Sequence, residues 1–168
     1  MSEITLEDEL SEITLEDELV AELRTLFEGM QLQTPDGKLA QIQVFKYDLP
    51  SFLAGQTPAQ EPFIAVCPTT GQISEQGASP ETDIGLGIRV YNPTPEHTGN
   101  DDLMSVIRKI CLRFASNPYI GKKHECKYPI KWTLSDTSRH PYYIGAVAFK
   151  AETAQPIYQE VPSINGEF

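Results

Sequence analysis

The chain has 168 residues, 24 acidic and 13 basic, for a formal net charge of −11 and a sequence pI near 4.6. That length suits one domain with its own core and is short for two, and the negative balance disfavours a dedicated nucleic-acid binder. No stretch of about 18 apolar residues occurs, and acids stand where a signal peptide carries basic residues, so neither a membrane span nor a secretory leader is expected.

The nine residues Ser2–Leu10 recur unchanged as Ser11–Leu19. Nine residues turn a helix by about 900°, so in one unbroken helix the two copies face opposite sides and only one can dock on a given core. The second copy continues into Val20, Leu23, Leu26, Phe27 and Met30, which form one apolar stripe with Leu15 and Leu19. Residues 1–13 therefore read as a redundant acidic extension. Thr14 caps a helix over roughly 15–29 whose first turn is acid-rich, as the helix dipole favours.

After the turn signal Pro35-Asp36-Gly37, residues 41–47 alternate as a strand. Leu49–Pro62, with three prolines, reads as a long loop, Phe63–Cys67 as a short apolar strand and Pro68–Pro80 as another loop. Residues 83–91 form the cleanest strand. Ile84, Leu86, Ile88 and Val90 share one face, and Gly85, Gly87, Arg89 and Tyr91 the other, where two glycines let another surface approach closely. Asn100, Asp101 and Asp102 start a second helix, with an apolar stripe of Leu103, Val106, Ile107, Ile110 and Phe114, that stops at Asn117-Pro118. Tyr128–Leu134, the loop Ser135–Pro141 and Tyr142–Lys150 read as a hairpin.

The order helix, three strands, helix, two strands predicts an α+β domain over 14–151. Its sheet is mixed or mostly antiparallel, with both helices on one face. Residues 152–168 read as an extended C-terminal arm. Cys67, Cys111 and Cys126, odd in number and widely spaced, read as reduced thiols of a cytosolic protein.

No catalytic constellation stands out, no cofactor motif occurs, and the chain is expected to be no enzyme. His97, His124 and His140 lack the paired spacing of a metal site, so no metal is expected. Asp136, Ser138 and His140 share one polar loop, where a solvated turn is the simpler reading than a triad. No P-loop, GxSxG or HExxH is present.

Residues 1–30 carry −9 of the net charge, whereas Arg108–Lys131 holds seven cations against Glu125, and Asp36–Asp102 nine acids against three bases. Tracts of opposite sign on one chain suit head-to-tail contact between copies. Arg108, Lys109, Arg113, Gly85 and Gly87 are the candidate self-association residues.

The element order, the size and the phrasing of Tyr128-Pro-Ile-Lys-Trp-Thr-Leu134 and Tyr143-Ile-Gly-Ala-Val-Ala-Phe149 resemble the tail-terminator and tail-completion proteins of long-tailed bacteriophages over residues 11–152. The resemblance implies a structural virion protein that assembles in the host cytoplasm. It implies a hexameric ring of copies on the head-proximal end of the tail, ending the tail tube and joining it to the head. Its partners would be the tail-tube protein and a head-completion or connector protein, with DNA passing through unbound. Partner contacts map onto loops, with Ser51, Phe52, Gln56, Thr70, Gln72, Arg139 and His140 as candidates. The alternative is a nucleic-acid-binding module using the basic segment 108–131.

Overall fold

The computed structural model describes residues 14–47 and 61–154; the tandem copy before Thr14, the residues 48–60 and the arm beyond Ala154 lie outside them. Helix α1 (Leu15–Leu26) begins where the sequence places it, with Thr14 Oγ1 accepting from the Asp17 N–H at 3.2 Å and Glu16, Asp17 and Glu18 in the first turn. Leu19, Leu23 and Phe27 are fully buried, and each such side chain contributes about 1.5–3 kcal/mol.

Strands β1 (Gln31–Gln33) and β2 (Leu39–Gln41) pair as a small hairpin across the Pro35-Asp36-Gly37 turn. Gly37 sits there at φ 84°, a conformation that favours glycine. Then come β3 (Gln43–Lys46), β4 (Phe63–Gln72), β5 (Glu81–Tyr91), α2 (Gly99–Ser116), β6 (Tyr119–Ile120), β7 (His124–Leu134) and β8 (Tyr142–Thr153). They make a six-stranded sheet in the order β3-β4-β5-β8-β7-β6, antiparallel except for β3 beside β4. The α+β expectation holds. Both helices cover one face, α1 over β3 and β4 and α2 over β8, β5 and β7.

The register explains this layering. Ile84, Leu86, Ile88 and Val90 of β5 are buried with Val66 of β4 and Val147 and Phe149 of β8, and the stripes of α1 and α2 close the same cluster. The boundaries differ from the sequence reading in several places. Helix α1 ends at Leu26, β7 begins at His124, and β8 runs to Thr153, so residues 152 and 153, expected in the C-terminal arm, are strand residues paired with β5 and β7. The strand expected over 41–47 is divided at the buried Ile42 between β2 and β3. Residues 68–72, expected in a loop, extend β4 across a bulge between Pro68 and Thr70. Asn100 lies inside α2; the N-cap is Thr98, with no side-chain capping bond. Instead Thr98 Oγ1 and the Asp102 carboxylate accept from the buried Asn92 amide at 3.2 and 2.8 Å. Strand β6 was not foreseen, because two residues carry no periodicity.

Candidate functional site

The face of the sheet opposite the helices is floored by small residues. Cys67, Gly85 and Ala148 stand opposite one another across β4, β5 and β8, and Ala65, Gly87 and Ala146 form the next row. A Cβ added at Gly87 would meet nothing within 4 Å, so the glycines lower this floor without a clash inside the subunit. At one end of the face Arg89 Nε lies 3.0 Å from the buried Glu61 carboxylate, and the guanidinium stacks 4.6 Å over the Tyr142 ring. At the other end is an open trough of about 370 Å³ lined by Thr69, Gly85, Tyr128, Pro129 and Ala148, with Asp83, Lys131 and Lys150 as its charged residues.

The second feature is the outer edge of β7. Strand β6 pairs only with His124 and Glu125, so among the described residues β7 has no outer partner from Lys127 to Leu134. Its register against β8 slips between Lys127 and Lys131. The alternation of Tyr128, Ile130, Trp132 and Leu134 reads in the sequence as an ordinary half-buried strand, yet Tyr128 is 72% exposed, Trp132 52% and Leu134 37%. Exposed aromatic residues beside unpaired backbone form a template for another chain. The sequence signal was their presence in a strand flanked by lysines.

The candidate self-association residues do not share one surface. Gly85 and Gly87 lie on the open sheet face. Arg108 of α2 is exposed, whereas the Lys109 ammonium sits 5.7 Å over the Phe27 ring. Arg113 donates to Glu22 at 2.9 Å and to the Tyr119 and Asn117 carbonyls, which joins α2 to α1 and to β6. The acidic tract is similarly divided: Glu61 pairs with Arg89, Glu81 with Lys150, and Asp83 accepts from Thr70 at 2.7 Å.

Thr70 and Gln72, expected on a loop, are strand residues facing Asp83 and Glu81. Arg139 bridges to Tyr142 in the β7–β8 turn and donates to the Asp136 and Ser138 carbonyls. His140 stacks on His97 at 3.9 Å, with its Nδ1 3.0 Å from the Tyr143 hydroxyl, which clasps this turn to the loop ahead of α2. The Ser138 hydroxyl accepts from the Ile144 N–H at 2.9 Å, a turn contact. Ser51, Phe52 and Gln56 lie outside the described residues.

Among the described residues no three His, Cys, Asp or Glu side chains converge as metal ligands, and no helix is long and apolar enough to cross a membrane. Burial pushes the Cys126 thiol up to about 11 and the Cys111 thiol upward, and it holds the His124 imidazole below its ordinary value.

The sequence matches no protein-family model and no curated protein. Among solved structures, the chain is similar to one in the virion of a native gene transfer agent particle, at 10% identity and a TM-score of 0.36, over 66% of this chain and 77% of that one. A likeness this distant bears no functional argument.

Proposed function

We propose that this chain is a structural virion protein of a long-tailed bacteriophage, without catalytic activity, whose copies form a ring that ends the tail tube and joins it to the head. The observation that carries the reading is the open edge of β7, with Tyr128, Trp132 and Leu134 exposed along it. The sheet has β3 at its other side. A ring built by rotation needs two different, complementary surfaces on one subunit, and two unlike sides of a single sheet supply that arrangement. The sequence resemblance to tail terminators supplies the hexameric count, the tube and head partners, and the head-proximal position in the virion. A net charge of −11 suits a ring through which DNA passes without being held.

Sedimentation and electron microscopy of the purified protein, alone and with tail tubes, test this. The wild type forms a closed oligomer that caps tubes. Trp132→Lys, which places a charge on an exposed position, keeps the circular-dichroism spectrum and loses assembly. A wild-type monomer that ignores tubes ends the proposal, and micromolar, salt-sensitive binding to duplex nucleic acid returns the alternative assigned to segment 108–131.

A further inference from the structure

The two ends of the sheet carry surfaces of opposite shape. At the β7 end Trp132 stands opposite Val147 and Leu134 opposite Gly145, two buried residues beneath the helices, so both side chains lie on the helix side of the sheet, exposed, with no strand outside them. The indole N–H has no hydrogen-bond partner among the described residues. At the β3 end lies an open hollow of about 320 Å³, lined by Arg24 and Glu28 of α1 and by residues 41–45. A cavity of about 150 Å³ takes a benzene ring, so the hollow has room for an indole. Arg24 donates to the Val44 carbonyl at 3.0 Å. That bond occupies the outer edge of β3 and leaves a socket for side chains where a strand would otherwise pair.

The helices repeat the asymmetry. Lys109 and Arg113 of α2 reach toward Phe27 and Glu22, on the side where α2 meets α1. By the helical phase, Met104, Arg108 and Cys111 take the flank of α2 toward β7. Asp17, Arg24 and Glu28 take the flank of α1 toward β3, where Asp17 meets Lys46 at 2.8 Å. The Arg108 guanidinium and the Glu28 carboxylate are exposed and have no ion-pair partner among the described residues. The two outer flanks thus carry unlike charges. Register sets their height. Leu134, Gly145, Ile88, Ile64 and Val44 form one row across five strands, and Trp132 shares its row with Lys46. With the strands along the axis of a ring, the apolar pair and the socket lie at one level, so successive copies close without climbing; an offset would produce a spiral.

We infer that Trp132 and Leu134 of one copy seat in the hollow between α1 and β3 of the next, with Arg108 against Glu28 of that next copy. Resting on the ring reading, this joint specifies which two surfaces build it. The indole replaces water over Ile42 and Val44, and the Arg24 guanidinium meets its face.

Trp132 is the single tryptophan of the chain, so the emission of the unmodified full-length protein reports the joint. Across a dilution series followed by sedimentation, assembly shifts the emission to the blue and lowers acrylamide quenching by at least about threefold, as water leaves an enclosed contact. A closed oligomer whose emission matches that of the dilute monomer overturns the joint. Charge reversal then identifies the occupant. Arg108→Glu and Glu28→Arg each raise the concentration needed for assembly by at least about tenfold with unchanged circular-dichroism spectra, and the double variant returns to within about threefold of wild type. A double variant no better than either single one overturns the joint as well. In both failures the oligomer itself persists, so the ring stands on other contacts, whereas a wild-type monomer removes ring and joint together.

Discussion

Replacing Gly99 by Ala probes whether α2 begins where the structure puts it. Gly99 is the first residue of α2 and is buried against Tyr143 of β8; an added Cβ would lie 2.0 Å from both Cδ2 and Cε2 of that ring. Carbon atoms in contact settle at about 3.5–4.0 Å, so the ring or the helix must move by roughly 1.5–2 Å. The ring has little freedom to yield, being 6% exposed with its hydroxyl 3.0 Å from His140 Nδ1. Overpacking of this kind costs about 1–3 kcal/mol, and the propensity advantage of Ala over Gly, an effect of helix interiors, adds little at the first residue of the helix, which leaves a net loss of about 1–3 kcal/mol. For a chain of this size that lowers the melting temperature by roughly 2–12 °C. Urea unfolding with a global fit measures it, with Gly87→Ala as a control that stays within about 0.5 kcal/mol, because nothing occupies the space its Cβ would enter. Combining Gly99→Ala with Tyr143→Ala removes the clash, so the two losses are not additive. A Gly99→Ala protein as stable as the wild type would falsify the docking of the α2 start on β8.

Ile107 is fully buried, and Ile107→Ala costs about 2–5 kcal/mol in the same assay; a near-neutral result contradicts the packing of α2. Because burial depresses the His124 pKa in the fold, the unfolded chain takes up this proton first. The stability associated with His124 is complete above its ordinary value of about 6.5 and is lost as pH falls through the lower folded value. His124→Gln therefore flattens the decline in urea midpoint between about pH 7 and pH 5, and an unchanged profile refutes it. The Cys126 thiol, pushed up to about 11, stays unalkylated at about pH 8 in the folded protein and reacts once urea unfolds it.

The parts of the fold legible in the sequence are those where one periodicity runs long enough to bury a face. The stripes Leu15–Leu23 and Leu103–Phe114 and the alternation Ile84–Val90 gave the helices and the central strand, because every residue of each set meets the same core. The small pairings β1–β2 and β6–β7 involve two or three residues held by neighbours in space, and no local pattern announces them. The run Thr69–Gln72 has the composition of a loop; its strand conformation comes from pairing with Glu81–Asp83, where Thr70 and Gln72 bond carboxylates across the ladder. The charge tracts were visible as counts and misleading as surfaces. Arg113, Glu61 and Glu81 have partners within the subunit, and sequence proximity cannot reveal which charges are already paired.

Strand β8, the last among the described residues, sits between β5 and β7 inside the sheet, and this has a consequence for synthesis on the ribosome. The β4–β5 hairpin is complete once Tyr91 has been made, but the edge of β5 that β8 will cover stays bare until Thr153 follows. At ordinary elongation speeds that interval lasts roughly 3–12 s, long compared with the microseconds in which hairpins form. A nascent chain thus presents the apolar edge Ile84–Val90 to its neighbours on the same message. Gly85 and Gly87, with Asp83 and Arg89 at their flanks, weaken that edge as a template for foreign strands while it waits. Seen from the ribosome, the two glycines protect the unfinished chain.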